Sequence, residues 1–206
     1  MKKTKSDFGR VAGRQNDEFV VRAKREGYRS RASFKLIEIN EKFRLLKPGM
    51  IVVDIGAAPG GWTQVALKEV GSKGKVIGVD ILEMEGLRGA DFVKGDFSTD
   101  ETLRELMDRI DGVKLDLVIS DMAPNLSGIK EIDQPRAIYL IELVIKFGKR
   151  VLKPGGDLLV KCFEGEGISQ LRKELLSDFR QLSNIKPKAS RPKSREVYML
   201  GRGFLP

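Results

Sequence analysis

The sequence predicts an α/β domain: a mostly parallel β-sheet with helices on both faces and a ligand site at the carboxyl ends of its strands. Two patterns predict it. Short β-branched apolar runs alternate with helical patterns of ten or more residues, which implies βαβ units rather than hairpins. The first run stops at a glycine-rich turn that opens a helix, where a doubly wound sheet binds nucleotide-like ligands. A chain of 206 residues is long enough for one such domain with a substantial core.

The elements follow in order. The opening dozen residues are polar and basic and are expected to be mobile. Asp17 to Glu26 fits a short helix. A second helix opens at Ser30-Arg31-Ala32-Ser33, with Ser30 or Ser33 as its cap, and ends near the breaker pair Pro48-Gly49. Met50–Ile55 is an apolar run stopped by glycine, the pattern of a strand buried on both faces. A helix follows over Gly61–Val70. Further strands are expected at Val76–Asp80, Asp91–Lys94, Leu115–Ser120 and Asp157–Phe163. Helices are expected at Thr99–Ile110 (capped by Ser98 or Thr99), Pro135–Val151 and Ile168–Phe179. Leu182–Lys186 and Glu196–Leu200 close the chain as strands. No repeat or long linker intervenes, so residues 1–26 read as a basic extension and 27–206 as the domain.

Composition excludes whole classes of chemistry. There is no histidine, which removes Ser-His-Asp triads and His-ligated metals, and a single cysteine leaves no disulfide or Cys-clustered metal site. No apolar run spans a bilayer and the start lacks a secretory h-region, so a cytoplasmic protein without membrane or metal is expected. The net charge of +9 is confined to the two ends. Residues 1–35 carry a net +7 and residues 186–206 a net +5, around a body of −3. Each end alone reads as a solvated tail; together they read as a phosphate-binding surface, if the fold joins them.

The glycine turn is Asp54-Ile-Gly56-Ala-Ala-Pro59-Gly60-Gly61-Trp62. It has neither the dinucleotide GxGxxG spacing nor a Walker lysine, so no phosphate cradle is indicated. Asp80 ends the second strand, placed to accept both hydroxyls of a ribose, and Asp96 follows the third, placed to accept an adenine amino group. Singly, each reads as a turn or cap residue. In this order, with the turn, they predict S-adenosylmethionine, an adenosine without phosphates.

Asp121 ends the fourth strand, and the fifth carries a lysine, Lys161, inside an otherwise apolar run. Snorkelling to water is the plain account. The chemical account is that a ribose hydroxyl, barely ionised at neutral pH, needs a base as its oxygen attacks a methyl carbon. Without histidine, a buried lysine beside a second cation, Lys35, can serve, with Asp121 and Glu196 holding the amines. Cys162 reads as a small buried hydrophobe rather than a nucleophile.

These segments, with Ser30–Glu38, Gly95-Asp-Phe97, Ser120–Asn125, Val160–Gly167 and Ser194–Tyr198, resemble the RrmJ/FtsJ (RlmE) family of ribosomal RNA large-subunit 2′-O-ribose methyltransferases, in order from about Gly27 to Tyr198. The resemblance implies a Rossmann-like methyltransferase fold of seven strands with the last antiparallel. It implies a catalytic tetrad of Lys35, Asp121, Lys161 and Glu196, with Lys161 the proton acceptor. It places cofactor contacts on Gly60, Trp62, Asp80, Asp96 and Asp121. It implies S-adenosylmethionine as cofactor and a uridine of 23S ribosomal RNA in the assembling large subunit as substrate; a monomer is expected. Transfer RNA or a messenger RNA cap as substrate, or a non-catalytic assembly factor, are the alternatives; a relic would have lost tetrad members. Arg22, Lys24, Arg25, Arg29 and Arg31 precede Lys35, and Lys188, Arg191, Lys193 and Arg195 precede Glu196, so these are the candidate RNA contacts.

Overall fold

The computed structural model describes residues 17–124, 127–191 and 193–206. The expected mobile tail and Asn125 lie outside the described residues. Seven strands form one sheet in the order β3-β2-β1-β4-β5-β7-β6. They are β1 (Ile51–Ile55), β2 (Lys75–Asp80), β3 (Ala90–Lys94), β4 (Leu115–Ser120), β5 (Leu152–Phe163), β6 (Phe179–Ile185) and β7 (Glu196–Phe204). The first five pair in parallel, whereas β7 lies antiparallel between β5 and β6. This is the predicted sheet.

The unbroken apolar runs in the central strands have a direct cause, because both faces are covered. Val53 and Ile55 join one core with α4 (Asp100–Ile110), α5 (Lys130–Val151) and α6 (Ile168–Asp178). Val52, pointing the other way, joins a second core with α2 (Ser33–Phe43) and α3 (Gly61–Val70). The short α1 (Glu18–Glu26), capped by Asp17, belongs to a smaller cluster in which Ala23, Phe34 and Ala189 meet. No helix among the described residues is long and apolar enough to cross a membrane.

Several boundaries differ from expectation: β5 begins at Leu152, β6 spans Phe179–Ile185 and β7 runs on to Phe204, and three helix boundaries also move. Neither Ser30 nor Ser33 caps α2; its N-cap is Ala32, and Ser33 Oγ instead donates to the Gly61 carbonyl at 3.0 Å, tying the helix to the glycine turn. That helix ends at Phe43, because Arg44 turns left-handed (φ 49°) and its N–H closes on the Asn40 carbonyl before the Pro-Gly pair is reached. Helix α5 starts five residues before Pro135, which sits inside it. Asp133 holds the extra turn by accepting from Ser127 and Gly128, and the proline removes only one backbone donor there.

Candidate active site

The loops leaving β1, β2, β3 and β4 surround a cavity of about 410 Å³ whose wall includes Gly56, Asp80, Asp96, Phe97, Asp121 and Met122. That volume suits a small cofactor. Gly56 has φ +79°, and a Cβ there would stand 3.0 Å from both Cα and Cβ of Met122, so only glycine lets the β1 and β4 loops approach this closely. Asp80 is held flat by two backbone donors, Ala58 N–H at 2.9 Å and Leu82 N–H at 2.8 Å, one on each oxygen. Each oxygen keeps a further lone pair. Asp96 takes the Ser98 N–H at 2.9 Å and hydroxyl at 2.7 Å on Oδ1, and these bonds hold its carboxyl below the ordinary range. Its Oδ2 has no partner among the described residues. No lysine or arginine lines this cavity. Two fixed carboxylates, an apolar wall and no cation fit an adenosine that bears positive charge and no phosphate.

Two expected cofactor residues do not line the cavity. Gly60 is the left-handed N-cap of α3 (φ 107°), and a Cβ there would meet Met84 Sδ and Leu87 Cδ1 at 3.0 Å. The Trp62 ring is buried against Tyr198, 5.6 Å between centroids, and its Nε1 donates to the Ala32 carbonyl at 2.8 Å. Beneath the turn, Asp54 is wholly buried. Thr63 Oγ1 donates to its Oδ2 at 2.7 Å while Oδ1 has no partner. Burial, opposed by that Thr63 bond and reinforced by the Asp121 charge, pushes the Asp54 carboxyl up to about 7.

Lys35, Asp121, Lys161 and Glu196 converge. Lys161 Nζ lies 3.1 Å from Asp121 Oδ1 and also donates to the Asp121 backbone carbonyl. Lys35 Nζ lies 2.7 Å from Glu196 Oε1 and 3.7 Å from Asp121 Oδ1. Both lysines are 8% exposed. The sheet sets this up: Lys161 registers against Tyr198 on β7, and Phe163 against Glu196, so strand alternation turns Lys161, Glu196 and Tyr198 to the α2 face. Burial works against the Glu196 charge, but Lys35 and the Ser190 hydroxyl at 2.7 Å outweigh it and leave the carboxyl below the ordinary range.

Sequence reasoning assigned no role to Tyr198, which the structure puts at the hub. Its hydroxyl donates to Asp121 Oδ1 at 2.6 Å and accepts from Lys35 Nζ at 3.0 Å. Burial, with the Asp121 and Glu196 charges, raises the phenol well above its ordinary value and keeps that proton in place. The signal available was the spacing: Glu196 and Tyr198, two apart on a strand, share a face. Cys162 points to the opposite core, and burial pushes its thiol up to about 12, so it offers no thiolate.

The two basic ends meet. Glu38 Oε2 on α2 accepts from the Lys188 N–H at 2.7 Å, and Arg31 donates to the Ala189 carbonyl. Several candidate RNA cations are already engaged. Arg22 pairs with Glu26 at 2.7 Å and lies over Phe34, and Arg25 reaches the same carboxylate at 3.4 Å. Arg29 donates to the carbonyls of Pro59 (3.2 Å), Glu85 (2.5 Å) and Gly86 (3.1 Å), buckling the segment after Asp80 to the glycine turn. Arg31 pairs with Asp17. Lys24, Lys188, Arg191, Lys193 and Arg195 are exposed and have no ion-pair partner among the described residues.

Comparison with known proteins agrees with this geometry. The FtsJ-like methyltransferase family model matches residues 28–204. Ribosomal RNA large subunit methyltransferase E of Stutzerimonas stutzeri is 50% identical over 204 residues, covering 99% of each chain. The protein of that name from an Azoarcus species is 53% identical over 201 residues, covering 98% of each. A crystal structure from Plasmodium falciparum, described as a ribosomal RNA methyltransferase, superposes with a TM-score of 0.77 at 31% identity, covering 86% of this chain and 99% of that one. A site built from one carboxylate shared by a cofactor-sized cavity and two buried lysines, in a chain this similar to these, leaves one conclusion: the chain belongs to the FtsJ-like methyltransferase family.

Proposed function

We propose that the protein methylates the 2′-hydroxyl of a ribose in large-subunit ribosomal RNA, on a uridine of the 23S molecule, with S-adenosylmethionine as donor. One observation carries the reading: Asp121 is at once a wall of the cofactor cavity and the anchor of Lys161. The base and the methyl donor are thereby brought to one point. Asp80 and Asp96 would hold the ribose and adenine of the cofactor, which when bound supplies an electrophilic methyl group on a sulfonium centre. Lys161 faces the attacking hydroxyl. In its unprotonated form the amine has two N–H groups, both directed to Asp121, and its lone pair would be left to take the proton of a ribose hydroxyl presented to it. Lys35, held by Glu196 and Tyr198, supplies the nearby cation that steadies the developing oxyanion.

The exposed cations Lys24, Lys188, Arg191, Lys193 and Arg195 would meet substrate phosphates, positioning the RNA without reading its bases. The printed names of the relatives at 50–53% identity support ribosomal RNA as the substrate. The same reading places the action in the cytoplasm, with the assembling large subunit. The test is incubation of the protein with methyl-labelled cofactor and large ribosomal subunits, followed by mapping of the label. Label on a sugar is expected, read as resistance of the adjacent phosphodiester to alkali. Label on a base overturns the proposal.

A further inference from the structure

A second cavity, of about 200 Å³, adjoins the tetrad and is lined by Arg31, Ala32, Lys35, Arg191, Ser194 and Glu196. It shares Lys35 and Glu196 with the tetrad, whereas the cofactor cavity shares Asp121. The tetrad thus stands as a wall between a cofactor chamber and a cationic chamber. We infer that the cationic chamber seats the phosphodiester on the 3′ side of the target nucleotide, between Arg31 and Arg191. The inference rests on the ribose reading above and adds to it which phosphate is gripped, and by what.

Three observations carry it. The two guanidinium groups come from the two basic ends, and with Lys35 they outnumber the one carboxylate of the lining, Glu196, so the cavity favours an anion. Arg31 and Arg191 line the same small cavity, and burial and the neighbouring Arg191 both draw the Arg31 guanidinium below its ordinary value, with Glu196 opposing. Arg31 is also pre-positioned: Asp17 and the Ala189 carbonyl fix it in place, and a guanidinium with five N–H donors retains some for a ligand. Arg191, by contrast, is exposed and has no acidic partner among the described residues. Finally, covalent structure chooses the phosphate. In a ribonucleotide the 2′-hydroxyl carbon is bonded to the carbon that bears the 3′-phosphate, while the 5′-phosphate hangs across the ring. A hydroxyl presented to Lys161 therefore keeps its 3′-phosphate, rather than its 5′-phosphate, within reach of the chamber that begins at Lys35 and Glu196.

The experiment is inhibition of methyl transfer to large ribosomal subunits by uridine 3′-monophosphate and uridine 5′-monophosphate, with the wild-type protein and with Arg191→Gln. Wild type should be inhibited by the 3′ nucleotide at concentrations roughly tenfold lower, the worth of one charge-assisted hydrogen bond. In Arg191→Gln that preference should shrink to within about twofold, and the KM for subunits should rise with the KM for cofactor unchanged. Equal potency of the two nucleotides on wild type, including no inhibition by either, overturns the inference, as does a preference that survives Arg191→Gln. The uninhibited wild-type control is read first, so failure of the ribose reading appears there as absence of sugar methylation.

Discussion

Replacing Tyr198 with phenylalanine removes one oxygen atom on which three of the four charged groups of the tetrad lean. The hydroxyl bridges Asp121 Oδ1 (2.6 Å) and Lys35 Nζ (3.0 Å) and approaches Glu196 Oε1 at 3.4 Å. Hydrogen bonds to charged partners contribute about 1.5–3 kcal/mol each. The loss is partly recovered, because Lys35 and Asp121 already stand 3.7 Å apart and can close into a direct pair. A net cost of about 2 kcal/mol follows. That closure draws Asp121 away from Lys161, so the same energy should appear in the transition state as a fall in kcat of about thirtyfold. Cofactor KM should hardly change, since Asp80 and Asp96 are untouched. Steady-state methyl transfer and urea unfolding on Tyr198→Phe measure the two quantities side by side. A folded variant with kcat within about twofold of wild type would refute the view that this phenol organises the tetrad.

The remaining expectations are simpler. Lys161→Ala should lower kcat by about a hundredfold or more, the usual contribution of a general base, with cofactor affinity intact; near-full activity removes Lys161 from the mechanism. Asp80→Ala should instead weaken cofactor binding by about tenfold, measured by calorimetry, since it deletes the acceptor proposed for the ribose hydroxyls. Asp54 has its carboxyl raised to about 7, so its contribution to stability is complete below the ordinary carboxylate range and disappears as pH rises through about 7. Asp54→Asn lacks that loss, and its stability relative to wild type should improve by about 3 kcal/mol between pH 5 and pH 8 in urea unfolding. Parallel profiles would contradict the raised carboxyl. Arg29→Gln should raise the KM for cofactor severalfold and leave the KM for subunits unchanged, because its partners are the carbonyls of Pro59, Glu85 and Gly86; the reverse pattern would make it an RNA contact.

The parts of this fold that local chemistry determines could be read in advance. Central strands covered on both faces leave unbroken apolar runs, and the glycine turn announces itself because only glycine tolerates the approach of Met122 to Gly56. Lys161 was conspicuous for the same reason, a cation in an apolar run. Long-range pairings were less visible. Lys153-Pro154-Gly155-Gly156 reads as a breaker, yet Leu152 already pairs with Leu115, and the ladder resumes past an irregularity at Asp157. Gly201 reads as the end of a strand, but β7 continues to Phe204 because the Phe179 ring occupies the place of a Gly201 side chain, 2.8 Å from where its Cβ would stand. Charge runs were the least informative. Nothing in the order of residues distinguishes Arg29, consumed by three carbonyls, from Arg191, which faces a cavity. Apart from its two-residue spacing from Glu196, Tyr198 resembled any aromatic of a buried strand, and its partners at residues 35 and 121 reveal its place at the hub.

Strand β7 lies between β5 and β6, although it is the last of the seven to be made. Since β6 pairs only with β7 among the described residues, the two join the sheet as a hairpin, and that hairpin delivers Glu196 and Tyr198. The cofactor chamber is assembled from loops that come before it. The phenol and carboxylate that hold Lys35 therefore come from a different part of the sheet than the loops that wall the cofactor chamber. Cofactor chamber and tetrad thus answer to different stretches of chain, and a change in the β6–β7 hairpin reaches the lysines before it reaches the walls of the donor site.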